Sequence, residues 1–195
     1  MEQIIVNKGT KTDNQKKNVL QEVTSGEFFE KFIDYIRRSE SNPKGLSNAA
    51  IATFREEASD VLAHCNPHDA VNLPETTHLA VGYVQSGKTM SFTGVTALAK
   101  DNGYRVIIYL AGTKNNLLDQ TQKRLRKDLI GKNGANNDYY KIHSNPTTAD
   151  IDDIVGNLES IEKPIVLIPI LKHYDHILKV RQIFNNSEIK ELMAN

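Results

Sequence analysis

The sequence predicts an α/β domain with a mainly parallel sheet, preceded by an N-terminal helical segment. From about residue 77 onward, apolar runs of strand length alternate with segments of helical periodicity. Two of these runs, YRVIIYLA at 104–111 and PIVLIPI at 164–170, are almost continuously apolar, as strands buried on both faces of a parallel sheet are. The segment at 23–70 instead has helical periodicity throughout.

Composition restricts the class of protein. The chain has 195 residues, of which 39% are hydrophobic and 25% charged, and its 24 basic and 24 acidic side chains give a formal net charge of zero. Bulk charge therefore provides no argument for a nucleic-acid or membrane partner, and any such argument must come from local patches. Cys65 is the single cysteine, so no intramolecular disulfide can form. Because no apolar run approaches 18 residues, we expect a cytoplasmic protein without a membrane partner.

The N-terminal third divides into an arm and two helices. Residues 1–22 are polar and predict a flexible arm, and residues 23–70 predict the helical segment. A capping box at Thr24-Ser25-Gly26-Glu27 is expected to begin the first helix. Ser47 is expected to cap the second helix, whose apolar stripe ends at Cys65, so that the Cys65 thiol is predicted to be buried and unreactive.

Residues 71–195 supply the α/β elements. Beyond the two apolar strands, the pattern predicts a short strand at YYKIHS and four helices, over 88–100, 115–129, 148–160 and 172–184. Asn102-Gly103 forms a typical helix C-terminus. Asp150, Asp152 and Asp153 follow a turn and have helical spacing, which predicts the charged first turn of a helix rather than a catalytic cluster.

The strongest motif lies between the first apolar run, HLAVGY, and the helix at 88–100. VGYVQSGKT fits G-x-x-x-x-G-K-[ST], the Walker A phosphate loop, without a mismatch, and it has the strand before it and the helix after it that the motif requires. Lys88 is predicted to reach the β- and γ-phosphates of a nucleotide, and Thr89 to place its hydroxyl on Mg²⁺. The predicted nucleotide-binding residues are Gly82, Gln85, Ser86, Gly87, Lys88 and Thr89.

Hydrolysis of a nucleotide at a phosphate loop needs a carboxylate from outside the loop, because the metal ion and the attacking water must both be positioned. We expect that carboxylate at the end of an apolar strand, and none is present: the strand at 164–170 continues into Leu171-Lys172. The sequence therefore predicts nucleotide binding and leaves hydrolysis by this chain alone in doubt.

A second segment, AGTKNNLLDQTQKRLRKDL, follows the strand at 104–111. It resembles the conserved segment of superfamily-two helicases that grips the nucleic-acid backbone, and it carries a local basic cluster in a neutral chain. A solvated helix face is the alternative explanation of that cluster. The predicted nucleic-acid-binding residues are Thr113, Lys114, Asn116, Gln120, Lys123 and Arg124.

Taken together, residues 79–130, and more loosely 164–184, resemble the N-terminal ATPase part of the Z-one domain (endonuclease) proteins. These are helicase-like proteins of bacterial restriction and phage-defence loci. The resemblance rests on VQSGKT at 84–89, DNGY at 101–104, LAG at 110–112, and NNL and QTQ at 115–122. It implies a partial RecA-like P-loop domain that binds ATP and Mg²⁺ and acts on DNA, with restriction or defence proteins as further partners.

Members of this family are longer, and their acidic Walker B strand is expected after the position of Asn195. The chain is thus expected to be either part of such a protein or a short relative without the hydrolytic carboxylates. ATP hydrolysis, helicase or translocase action and a link to an endonuclease are implied for a complete protein only. If strands are missing, an exposed sheet edge would favour self-association.

Two other functions remain open at this stage. A small P-loop kinase suits the length, but it would need an Arg-rich lid, and the GKNGANND loop has no Arg. A non-hydrolysing nucleotide-binding module that contacts a partner is the other alternative. Two histidine groups, His64-Cys65 with His68 and His173 with His176, have too few ligands for a metal site.

Overall fold

The computed structural model describes residues 5–6, 20–38, 42–70, 76–81, 88–131 and 134–194. The chain forms two compact units, Met1–Gly103 and Tyr104–Asn195. The N-terminal unit contains β1 (Ile5–Val6), α1 (Glu27–Ile36), α2 (Asn48–Ala63), β2 (Ala80–Val81) and α3 (Lys88–Asp101). The C-terminal unit contains β3 (Val106–Leu110), α4 (Asn115–Leu125), β4 (Tyr140–Ile142), α5 (Ile151–Glu159), β5 (Ile165–Ile170), α6 (Tyr174–Phe184) and α7 (Ser187–Ala194).

In the N-terminal unit, α3 packs against both α1 and α2 around a cluster of phenylalanines. The Phe54 ring lies 6.4 Å from that of Phe29 and 6.0 Å from that of Phe32, centroid to centroid. Gly94 of α3 faces this cluster, because a Cβ at Gly94 would come within 2.4 Å of Phe54 Cζ. The absent side chain therefore allows α3 to approach the aromatic side chains closely.

The start of α1 differs from the predicted capping box. The N-cap is Gly26, and no side chain of its own helix caps it. The Asp101 carboxylate at the end of α3 instead accepts hydrogen bonds from the amides of Gly26, Phe28 and Phe29, at 3.0, 3.0 and 2.8 Å. The prediction was wrong because this tertiary contact satisfies the free amides that a Thr24 hydroxyl would otherwise bind. At α2 the prediction is confirmed, since Ser47 Oγ accepts from the amide of Ala50.

An ion pair joins α1 to α2. Both guanidinium nitrogens of Arg55 bind the Glu30 carboxylate at 2.5 Å, and this hydrogen bonding lowers the pKa of Glu30 from 4.5 to about 2. Because the pKa is lowered by folding, the contribution of Glu30 to stability is fully present above pH 4.5 and is lost as the pH falls toward 2. The pair is partly exposed, so solvent screening keeps its contribution below about 1 kcal/mol.

We expect Glu30→Gln to lower the urea midpoint at pH 7, and the difference from wild type to shrink to nothing by about pH 2. Urea unfolding at pH 7, 4.5, 3 and 2 measures this difference. Glu56→Gln, at an exposed glutamate of α2, is the control and should show no such pH-dependent difference. If Glu30→Gln lowers the urea midpoint by the same amount at every pH, the ionised Glu30–Arg55 pair is not the cause of the lost stability.

The C-terminal unit is built on a three-stranded parallel sheet in the order β3-β5-β4. All six residues of β5 are buried, as predicted for this apolar run. Its residues Val166, Ile168 and Ile170 pack in one core cluster with side chains of α5, α6 and α7. Helix α4 packs against β5 as well, and its buried residues are Leu118 and Leu125.

The observed elements confirm an α/β fold with a parallel sheet. The predicted strand at YYKIHS is β4, and Asp152 and Asp153 occupy the first turn of α5 as expected. Thr147 and Asp150 form a capping box before α5, around a 3₁₀ turn at Thr148–Asp150. A π-helical turn, Arg126–Ile130, follows α4. Helix α7 at the end of the unit was not predicted. β2 pairs antiparallel with β1 in a separate two-stranded sheet.

The predicted burial of Cys65 is wrong. Helix α2 ends at Ala63, with His64 as its C-cap, so Cys65 lies in the following turn and is exposed. The apolar spacing on which the prediction depended continues past the residue where the hydrogen-bonded helix stops.

Candidate functional site

The elements on both sides of the glycine motif are in the order that a phosphate loop requires. β2 ends at Val81, immediately before Gly82, and α3 begins at Lys88. The predicted residues Gly82, Gln85, Ser86 and Gly87 lie outside the described residues. Lys88 and Thr89 occupy the first two positions of α3.

The charge at the start of α3 suits an anion. The N-terminus of a helix carries partial positive charge from its unpaired amides, and acidic side chains in the first turn normally offset it. The first turn of α3 contains no acidic residue, whereas that of α1 contains Glu27 and Glu30. Lys88 adds a formal positive charge at the same end, so the residues present fit a nucleotide phosphate.

Helix α3 is held firmly within its own unit. The hydroxyls of Thr93 and Thr96 are buried and donate to the carbonyls of Met90 and Phe92, at 2.9 and 2.8 Å. At the other end, Asp101 caps α1 as described above. The two threonine hydrogen bonds lie within α3 itself, so the contacts that hold the helix are its packing against α1 and α2 and the Asp101 cap, and Lys88 lies at the opposite end of the helix from that cap.

A second candidate site lies at the carboxyl ends of the parallel strands. The loops after all three strands are hydrogen-bonded to one another there. The Lys172 amide after β5 donates to the Gly112 carbonyl after β3 at 2.6 Å. The Asn145 side chain after β4 accepts from the Leu171 amide at 3.0 Å. Gly112 has a positive φ of 103°, a backbone conformation that side chains disfavour. The path of the loop after β3 therefore depends on glycine at this position.

This edge of the sheet is a topological switch point. In a sheet ordered β3-β5-β4, right-handed crossovers put α4, which follows β3, on the face opposite α5, and α6 after β5 shares the α5–α7 core cluster. In open α/β sheets a crevice forms where neighbouring connections diverge in this way, and ligands bind there. The residues at this position are Gly112-Thr113-Lys114 after β3 and Leu171-Lys172-His173 after β5, and we call these strand-end residues the crevice.

The start of α4 has the same electrostatic character as that of α3. Its N-cap, Lys114, makes no side-chain capping hydrogen bond, and the first turn contains no acidic residue. Thr113 and Lys114 are exposed beside these uncapped amides. The geometry therefore places two predicted nucleic-acid-binding residues next to a helix N-terminus without a side-chain cap, which suits a phosphate.

The predicted residues within α4 divide by helix face. Asn116, Gln120 and Lys123 recur at helical spacing on the exposed side, opposite the buried Leu118 and Leu125. They form a polar stripe that runs about 10 Å away from the carboxyl ends of the strands, at 1.5 Å per residue. Asn116 therefore lies at the crevice and Lys123 lies at the far end of the helix.

Arg124 has a local partner. Its guanidinium lies 3.5 Å from the Asp128 carboxylate one helical turn later, and the Asp128 side chain is only 4% exposed. A buried carboxylate needs such a cation. Arg124 is thus engaged in stabilising the end of α4, a role the sequence pattern did not indicate.

Sequence reasoning missed Asn145, Lys172 and His173 as residues of this edge. The sequence contained a usable indication, because all three residues follow predicted strands and the carboxyl ends of parallel strands meet at one edge of a sheet. The strand order that brings β3 beside β5 could not be read from the chain.

Histidines of both groups contact other histidine rings. Among the described residues, no three His, Cys, Asp or Glu side chains are arranged to hold a metal ion. His173 and His176 have ring centroids 6.2 Å apart, and His64 packs against His78 at 5.3 Å.

Within the described ranges, no helix is both long and apolar enough to cross a membrane. Comparison of the chain with protein-family models, with curated proteins and with solved structures gives no match. The features of this chain that bear on function are the motif, the two helix N-termini and the crevice.

Proposed function

We propose that this chain is a nucleotide-binding module that takes ATP and Mg²⁺ at residues 82–89 and contacts the backbone of DNA through the crevice at the end of the parallel sheet. The observation that carries the proposal is the start of α3. A strand ends immediately before the first glycine of a complete phosphate-loop motif, and a helix with no acidic residue in its first turn begins at the lysine of that motif.

The roles of the nucleotide-binding residues follow from their chemistry. Lys88 neutralises the β- and γ-phosphates, and the Thr89 hydroxyl supplies a ligand to Mg²⁺. The bound metal ion would bridge the phosphate oxygens and reduce their charge. The glycines at 82 and 87 permit the close backbone approach that lets amides donate to phosphate oxygens.

The DNA-binding role rests on the crevice. Lys114 and Lys172 are exposed on its two sides, and Thr113 and Asn116 offer neutral donors beside the uncapped amides of α4. Contacts of these types go to phosphate oxygens and carry no base specificity. We therefore propose backbone binding without sequence preference.

We propose nucleotide binding at residues 82–89 and assign no hydrolytic residue. Hydrolysis would need a carboxylate to hold the metal ion or orient the attacking water, and no such residue is part of this proposal. The finer proposal, a RecA-like ATPase of the restriction or phage-defence type, rests on the resemblance of residues 79–130.

Salt dependence tests the DNA-binding proposal. We expect a labelled single-stranded oligonucleotide to bind with an affinity that falls linearly with salt on a double-logarithmic plot. Lys114→Ala and Lys172→Ala should each weaken binding and reduce the salt slope by about 0.7, because each removes one phosphate contact to a single strand. Fluorescence anisotropy at salt concentrations from about 50 to about 200 mM measures the affinity and its dependence on salt.

The matched control is Lys190→Ala, at an exposed lysine of α7. It removes the same charge from the chain and should leave the slope unchanged. Equal slopes for wild type and both crevice variants would refute the crevice as the DNA-binding surface, even if ATP binds normally.

A further inference from the structure

Strand β3 forms one edge of the parallel sheet, and its outer side is open. Its hydrogen bonds to β5 use odd-numbered residues: the Arg105 carbonyl accepts from Val166, and the Ala111 amide donates to Ile170, both at 2.8 Å. Since alternate residues of a parallel strand bond to opposite sides, the amides and carbonyls of Val106, Ile108 and Leu110 point away from β5. In the part of the chain that the structure describes, no strand pairs with them.

The side chains on this edge are exposed as well. Ile108 and Leu110 are 44% and 55% exposed, whereas Ile168, the register partner of Ile108 on β5, is fully buried. The helices α5–α7 thus cover this face of the sheet over β5 and pack against Val106 at the start of β3, whereas Ile108 and Leu110 further along β3 stay exposed. Proteins normally protect an edge strand with charges, proline or a bulge. The sequence VIIYL contains no charge and no proline.

We propose that β3 pairs antiparallel with β3 of a second copy of this chain, on a two-fold axis at Ile108. The outward groups are self-complementary, because Ile108 would face its own counterpart and Val106 would face Leu110. Each of these is a pair that exchanges two backbone hydrogen bonds, which makes six in total. The exposed Ile108 and Leu110 side chains of each copy would then cover those of the other, and an uncharged edge adds no repulsion.

The size of this contact sets the strength of the dimer. Stable interfaces bury about 1,600 Å² in total, and pairing of two five-residue strands buries considerably less. The dimer is therefore weak, and its population depends on protein concentration across the micromolar range.

Sedimentation velocity over a wide concentration range tests the proposal. Wild type should shift from monomer to dimer as concentration rises. Ile108→Lys should weaken association about tenfold or more, because it places two ammonium groups opposite each other across the axis. Ile161→Lys makes the same change at an isoleucine that is 94% exposed in the turn before β5, and it should associate like wild type.

A cross-linking variant makes the test independent of any effect of the lysine on folding. Opposed residues of a hydrogen-bonded pair have Cα atoms about 5.5 Å apart, a distance that a disulfide spans. In a Cys65→Ser background, Ile108→Cys should form disulfide-linked dimers under mild oxidation much faster than Ile161→Cys. Monomer at every concentration, a dimer unaffected by Ile108→Lys, or equal cross-linking rates for the two cysteine variants would each overturn the proposal.

Discussion

Replacing Lys88 with alanine is expected to weaken the binding of Mg²⁺-ATP about 10- to 100-fold. A hydrogen bond to a charged group contributes about 1.5–3 kcal/mol, and each 1.4 kcal/mol is a factor of ten in affinity. The substitution removes the only formal positive charge in the first turn of α3, while alanine keeps the helix propensity of that position. Isothermal titration calorimetry at fixed salt measures the change.

Lys190→Ala is again the matched control, since it removes a lysine from the first turn of another helix, α7. Its affinity for ATP should equal that of wild type. The phosphate-loop assignment fails if the Lys88 variant binds ATP as tightly as wild type does. Circular dichroism of both variants establishes that the helices are intact before the affinities are compared.

Gly94→Ala is expected to lower the free energy of unfolding by about 1–3 kcal/mol, the usual cost of overpacking a core. Its Cβ would lie 2.4 Å from Phe54 Cζ and 3.1 Å from Phe32 Cε1, both on buried rings. The Phe54 ring cannot move aside easily, because it is packed between Phe29 and Phe32. This cost should exceed the gain of up to about 1 kcal/mol that alanine brings to a helix interior.

Gly156→Ala provides a control of opposite sign. Gly156 also lies within a helix, α5, but apart from its chain neighbours and the backbone of its own helix nothing lies within 4 Å of a Cβ built there. Only the helix propensity changes, so this variant should gain about 0.5–1 kcal/mol. Urea unfolding measures both variants. If the two substitutions shift stability in the same direction, the close approach of α3 to the phenylalanine cluster is not a stabilising feature of the fold.

Buried, strongly patterned elements were the ones that the sequence predicted well. The run at 164–170 forms β5, whose six apolar residues are all buried. Parallel pairing with β3 and β4 supplies hydrogen bonds to its backbone on both sides. The helix predicted at 115–129 is α4, and its buried leucines, Leu118 and Leu125, lie on one side of it. In each case a local pattern and the tertiary environment favour the same structure.

Contacts between distant residues were not predictable from patterns. Asp101 caps a helix that begins 74 residues earlier in the chain, at Glu27, and no local rule places those residues together. Cys65 was misplaced because apolar spacing does not show where helical hydrogen bonding ends. Asn145 and Lys172 were missed for a similar reason, since their proximity depends on the strand order β3-β5-β4.

Hydrogen–deuterium exchange of the segment over residues 80–92 tests the central claim most directly. If ATP binds through this loop and the start of α3, adding Mg²⁺-ATP should slow exchange of these amides in wild type, because phosphate oxygens accept hydrogen bonds from them. The Lys88→Ala variant at the same ATP concentration should lose most of that protection. Unchanged exchange over 80–92 at an ATP concentration that saturates wild type by calorimetry would contradict the account, because ATP would then bind elsewhere.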